Sequence, residues 1–362
     1  MDTQSPVNDF SSVLAALRDV DTPFPSRYLR SFSDLSRSQL KALNEVWPSL
    51  PDERKLNLLE DLDEVLEKDT LVNFENLAIN VLTDANPMNR VLALRLLWES
   101  ENTDILPVIL ALSVNDADEA VRSTSAGLLG RFVLMGELET IRSDISDLVN
   151  RHLLNVLISS DSARVKQRAL ESLGFSSHPD VPDLIRNAYL SNDSAWVVSA
   201  LCAMGRSADE QWADQVEESL NSPIAEVQME DIKAAGELEL SGVKEQLLSM
   251  ITTDTEDTEI RMALVWALSQ IGGDEIRERL EQLLADATDE DEIDWIDRAL
   301  ENLELASASG LELLDFAPEH FSGRNPVDDN EDENEDDEYF EDEGDEIDLD
   351  DFEFDHDSDE DD

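Results

Sequence analysis

The stretch Ile260-Arg261-Met262-Ala263-Leu264-Val265-Trp266-Ala267-Leu268-Ser269-Gln270-Ile271-Gly272 decides the fold of this chain. Ile260, Leu264, Ala267 and Leu268 fall at offsets 0, 4, 7 and 8, which share one face of a helix. A glycine closes the run. The same frame recurs from Val121-Arg122 to Leu129-Gly130 and from Val165-Lys166 to Leu173-Gly174. Looser copies run from Asn89-Arg90 to Leu97, Trp196-Val197 to Met204-Gly205, Val227-Gln228 to Ala235-Gly236 and Trp295-Ile296 to Leu303. Successive starts lie 32, 44, 31, 31, 33 and 35 residues apart, so the period is in the low thirties with one insertion. The Val227 copy departs most, because Asp231 stands where a small core residue belongs.

Each copy follows a residue suited to cap a helix N-terminus: Asp116, Asp161, Asn192, Ser222, Asp254 or Asp289. An amphipathic run precedes each, such as Ile105 to Leu112 or Val243 to Ile251. The unit is helix–turn–helix. One such pair cannot bury its own apolar face, whereas stacked neighbours build a continuous core.

These residues resemble short HEAT repeats, including the phycobilisome-lyase-like kind found in bacterial-type proteins, over roughly residues 70 to 305. Ile260 to Gly272 matches best, with Ser269 where glycine is usual. The expected fold is therefore all-α: an α-solenoid of about seven HEAT-like helix pairs. The resemblance implies a surface for protein partners, and the wider family also holds lyases and hydroxylases.

Composition points the same way. Glycine and proline number 12 each and aromatics make up 6%, too few for a sandwich or barrel of 362 residues. A net charge of −60, from 26 bases against 86 acids, disfavours direct binding of nucleic acid or an anionic membrane and favours basic proteins. The N-terminus carries no signal-peptide pattern, and no apolar run approaches the roughly 20 residues of a membrane span. The expected compartment is the cytoplasm.

Four segments are expected. Residues 1–70 form an N-terminal helical cap and 71–305 the repeats. Residues 306–327 are a capping segment or linker, with Leu311, Leu313, Leu314, Phe316 and Phe321 either sealing the stack or docking a partner. Residues 328–362 are a disordered acidic tail with 24 acids in 35 positions and no base. Tyr339, Phe340, Phe352 and Phe354 are its candidate anchors. Two readings of the tail stay open: a solubilising segment, or a recognition element that engages a basic partner.

Catalytic patterns are missing from the sequence. His152, His178, His320 and His356 form no paired ligand motif, and no His-Glu dipeptide exists, although HEAT-like hydroxylases such as deoxyhypusine hydroxylase hold iron with such pairs. Asp332 to Asp336 resembles the start of a calcium loop, but Asp337 replaces the turn glycine. Cys202, inside a repeat helix, reads as structural. The expectation is no enzyme activity, no catalytic or metal residue and no cofactor.

A stripe of polar and large residues opposite the core face gives the candidate protein-binding groove: Arg95, Arg131, Phe175, Arg206, Lys233, Met262 and Trp266. In a HEAT-like stack the second helices line the concave side. Trp266 stands out there, since tryptophan is favoured at binding hot spots; the alternative is that it packs on a neighbouring repeat and the bases pair with nearby acids. Arg122, Lys166 and Arg261 are assigned to ladders between repeats. The expected function is a scaffold or adaptor using groove and tail, its partner basic or offering an acidic, aromatic peptide to the groove. The alternative is a chaperone-like factor that masks basic ribosomal or nucleic-acid-associated proteins. A contact between tail and groove is a further expectation.

Overall fold

Among the described residues a helix pair recurs along the chain, because a turn and a close-packed helix face recur with it. The computed structural model describes residues 10–251 and 257–309. After α1 (Phe10–Arg18) and a 3-10 turn at Ser26–Phe32 come α2 (Arg37–Val46) with α3 (Asp52–Lys68), and α4 (Glu75–Val81) with α5 (Pro87–Arg95). Then follow α6 (Leu106–Asn115) with α7 (Glu119–Glu137), α8 (Ser143–Leu157) with α9 (Ala163–Leu173), and α10 (Val181–Tyr189) with α11 (Ser194–Arg206). The last pairs are α12 (Ala213–Ser219) with α13 (Ala225–Glu237), α14 (Lys244–Met250) with α15 (Thr258–Ile271), and α16 (Asp274–Asp286) with α17 (Glu290–Ser309). No strand occurs among the described residues. The sealing segment after residue 309, the acidic tail and the expected cap Asp254 lie outside them.

Each second helix packs on the second helices before and after it, while the first helices from α4 onward pack chiefly on their own partners. Glycine makes this closeness possible. A methyl on Gly174 would lie 2.7 Å from the Cα of Ala203, and one on Gly236 would lie 2.8 Å from the Cα of Ala267. Gly130 approaches Ser172, and Gly205 approaches Ala234, in the same way. The recurring Leu-Gly in the sequence is thus the contact point between consecutive second helices. Where Ser269 stands in place of the glycine, it turns its hydroxyl to the Trp266 carbonyl at 2.7 Å and accepts from Asn302 Nδ2 at 3.4 Å.

This contact yields a prediction. Gly174→Ala should cost about 1–3 kcal/mol, because a backbone must shift to admit the methyl. Gly242→Ala, where nothing lies within 4 Å, serves as the control. Urea unfolding of the two variants checks it; equal midpoints would show that the close approach is not needed.

The caps sit at the expected places or up to three residues beyond them. Asp118, Ser162, Asp193 and Asp257 accept the backbone N–H groups that open α7, α9, α11 and α15. Ser222 instead accepts from Ile224 N at 3.3 Å in the turn before α13. Asp289 caps α17, accepting from Glu292 N at 3.0 Å. Asp116 and Asp161 do a second job. Each takes a forked pair of bonds from the arginine one repeat earlier: Arg90 at 2.9 and 2.6 Å, and Arg122 at 2.8 and 2.8 Å. The same arginines donate to turn carbonyls, Arg90 to Asp84 and Arg122 to Asp116, both at 2.9 Å. The hydrogen bonds from Arg122 outweigh burial and lower the pKa of Asp161, with Lys166 adding its charge. Arg261 reaches Glu292 at 3.0 Å.

Lys55 on α3 contacts Asp84 at 3.0 Å, which makes it the first rung of this ladder. Packing agrees, since α3 lies against α5 as each later second helix lies against the next. α3 thus takes the position of a second helix, although its sequence does not follow the frame.

Candidate protein-binding face

Charge is unevenly divided among the helices. The second helices α5, α7, α9 and α11 carry eight bases (Arg90, Arg95, Arg122, Arg131, Arg164, Lys166, Arg168 and Arg206) and three acids (Glu119, Glu137 and Glu171). The first helices α12, α14 and α16 carry three bases and nine acids. A basic strip of second helices thus runs through a strongly acidic protein.

Along this layer most of the candidate groove residues have local partners. Arg95 contacts Asp63 of α3 at 2.5 Å. Burial pushes the Asp63 carboxyl up to about 6; Arg95 opposes this, while Glu67, Glu60 and Glu64 add to it. The half-buried Arg131 meets the exposed Glu101 at 3.0 Å. Lys233 is nearly buried and contacts Glu230 at 3.3 Å. Met262 is half-buried, and its carbonyl accepts from Trp295 Nε1 at 3.0 Å.

Two candidates come together. The Arg206 guanidinium lies over the half-buried Phe175 ring, 5.1 Å from its centroid. Its Nη1 donates to the Glu171 carbonyl at 3.2 Å. The Glu171 side chain is buried and accepts from Arg168 Nη1 at 2.5 Å and from Ser199 Oγ at 2.7 Å. Arg168 itself is half-exposed. This cluster joins α9 to α11 and presents two guanidinium groups and an aromatic ring on one side of the stack.

Trp266 lies elsewhere. It is 3% exposed, with its ring against Gly236 of the preceding second helix. The space that a side chain at 236 would fill is taken by the indole. A tryptophan that the frame did not single out, Trp98 after α5, is 39% exposed and lies over Gly127 of α7, where an added methyl would sit 3.6 Å from the ring. Gly127 holds the same offset in its repeat as Trp266 does, so a glycine there was the signal that a neighbour's ring needed room. The tail anchors Tyr339, Phe340, Phe352 and Phe354, and any contact they make, fall outside the described residues. No described helix is long and apolar enough to cross a membrane.

Comparison with known proteins agrees with this geometry. Residues 213–301 match the family model of HEAT repeats. No curated protein sequence matches significantly. Among solved structures, the complex of CpcE and CpcF of phycocyanin lyase from Nostoc sp. PCC7120 is 18% identical, covering 63% of this chain and 94% of its own, with a TM-score of 0.43. Human deoxyhypusine hydroxylase is 17% identical, covering 82% and 96%, with a TM-score of 0.28. Kap95p, solved with RanGDP, is 12% identical, covering 80% of this chain and 40% of its own, with a TM-score of 0.36. The expectation of no enzyme activity is corrected by these matches: a lyase and a hydroxylase are among the structures with a similar fold, so the solenoid alone does not exclude catalysis. Residues 213–301 are HEAT repeats, and the all-helical stack to which they belong is a HEAT-like solenoid.

Proposed function

We propose that the chain is a protein-binding scaffold with two elements of opposite charge. The second-helix face from α5 to α11 takes a partner that offers acidic and aromatic side chains. The segment from Asp328 to Asp362 takes basic proteins. The observation that carries the reading is the strip of eight bases and three acids within a chain of net charge −60. Partly exposed ion pairs such as Arg131–Glu101 hold their geometry weakly, so a partner's carboxylates can replace the internal ones at little cost. The Phe175–Arg206 stack adds a flat, partly apolar anchor of the kind that dominates binding energy at interfaces.

The test compares three proteins: the full chain, a chain ending at Val327, and Phe175→Ala/Arg206→Ala. Each is used for affinity purification with stepwise salt elution and mass spectrometry. The expected result is two partner classes. One disappears with the tail and elutes at moderate salt, as screening requires. The other disappears with Phe175→Ala/Arg206→Ala. An identical set of partners from all three proteins would overturn the reading.

A further inference from the structure

The outer layer of first helices carries a different surface, independent of the basic strip. α6, Leu-Pro-Val-Ile-Leu-Ala-Leu-Ser-Val-Asn, has no charged residue in a chain that is 31% charged. A helix that is apolar all round is normally enclosed, yet Val108 is 40% exposed and Val114 is 46% exposed. Beside it, α8 exposes Leu148 at 47%. The two helices adjoin. Ser113 Oγ and His152 Nε2 hydrogen-bond at 2.7 Å between α6 and α8; Val114 follows Ser113, and Leu148 is one turn before His152. Among the described first helices, this neighbouring pair packs most closely side by side. It is also where the array is irregular. The 44-residue spacing between Val121 and Val165 corresponds to the long helices α7 and α8.

We infer that the α6–α8 face docks an amphipathic helix with basic flanks, supplied by a partner protein. The apolar positions suit the i, i+3, i+4 and i+7 anchors of such a helix. The surrounding exposed charges are Asp104, Asp144 and Asp147, against Arg142, which pairs with Asp144, and Arg151. A partner therefore gains from lysine or arginine beside its apolar stripe. A second copy of this chain is the poorer occupant, since each carries −60. This surface lies on other helices than the proposed scaffold face, so either can fail without the other.

The probe is a fluorescein-labelled Leu/Lys peptide with leucine at helical a and d positions, titrated into the full-length protein by anisotropy at 150 mM and 500 mM salt. Wild type should retain measurable binding at the higher salt. Val108→Ser/Val114→Ser/Leu148→Ser should weaken it at least tenfold there, with unchanged circular dichroism. Affinity within twofold of wild type would overturn the inference and assign the peptide to acidic groups alone. Hydrogen exchange of wild type with the peptide keeps the test independent of variant folding. Protection is expected over 106–114 and 145–152, and its absence there would equally overturn the inference.

Discussion

Replacing Asp231 with alanine is expected to stabilise the protein at neutral pH and to change little at pH 4. Asp231 is 0% exposed, and neither carboxylate oxygen has a hydrogen-bond partner. Burial, helped by the neighbouring Glu230 charge, pushes its pKa up to about 8 from the ordinary 3.8. Between those values the unfolded chain has lost the proton that the folded chain keeps. Folding stability therefore falls as pH rises, by about 1.4 kcal/mol per pH unit for this one group. The loss starts near pH 4 and stops near pH 8. At pH 7 the difference is on the order of 4 kcal/mol, large against the total stability of most domains.

The other repeats show what the position accepts. Ala93, Ala169, Ala200 and Ala299 occupy it in four of them and Ser125 and Leu264 in the other two, all buried, so alanine is its usual occupant. Urea unfolding of wild type and Asp231→Ala from pH 4 to pH 8 isolates the residue, because every other carboxylate is common to both. The curves should diverge with rising pH. Parallel curves, or a less stable variant at pH 7, would show that the carboxyl finds a partner in solution.

The sequence made Asp231 visible because it breaks a pattern that every other repeat keeps. What the repeat frame conveys well is burial: the offsets 0, 4, 7 and 8 of α15 are the half-buried Ile260 and the buried Leu264, Ala267 and Leu268. It conveys the face opposite the core poorly. Trp266 and Met229 share that face in sequence, yet one is enclosed and the other half-exposed, because Gly236 leaves room for a ring and that room depends on the neighbouring repeat. The caps shift for a related reason. Asp116 and Asp161 satisfy the capping rule by type, but the arginine one repeat earlier claims them, and Asp118 and Ser162 take the helix ends instead. Local rules identify the turn; the adjacent repeat decides which residue in it does what. The absence of enzyme activity is the expectation least supported by such rules, since a missing dipeptide motif excludes one metal site and says nothing about other chemistry.

The same dependence on distant partners makes Asp84 the second residue whose loss should be large. Its side chain accepts from Trp47 Nε1 at 2.7 Å, Lys55 Nζ at 3.0 Å, Asn89 Nδ2 at 3.0 Å and the Asn86 backbone N–H at 2.9 Å. Burial opposes ionisation, but these hydrogen bonds outweigh it and hold the pKa at about 2. Trp47 and Lys55 come from the α2–α3 region, whereas Asn86 and Asn89 belong to the first clear repeat, so this carboxylate fastens the one to the other. Asp84→Ala would leave the nearly buried Lys55 ammonium with Asp52, 3.7 Å away and largely exposed, as its nearest carboxylate, and with the Trp47 ring 5.6 Å away. It would also strip the fully buried Asn89 of the acceptor for its amide. A loss of about 3–5 kcal/mol is expected, the usual effect of breaking one side of a buried pair. Asp84→Leu with Lys55→Met removes both charges together and should recover much of that loss. Its sign with pH is opposite to that of Asp231: the depressed pKa gives stability that is present above pH 4 and lost as pH falls toward 2. Hydrogen exchange resolves where the effect lands. Asp84→Ala should raise exchange over residues 37–68 more than over α9 to α15. Uniform change along the stack, or full stability in the single variant, would mean that α2–α3 is held by its apolar face alone.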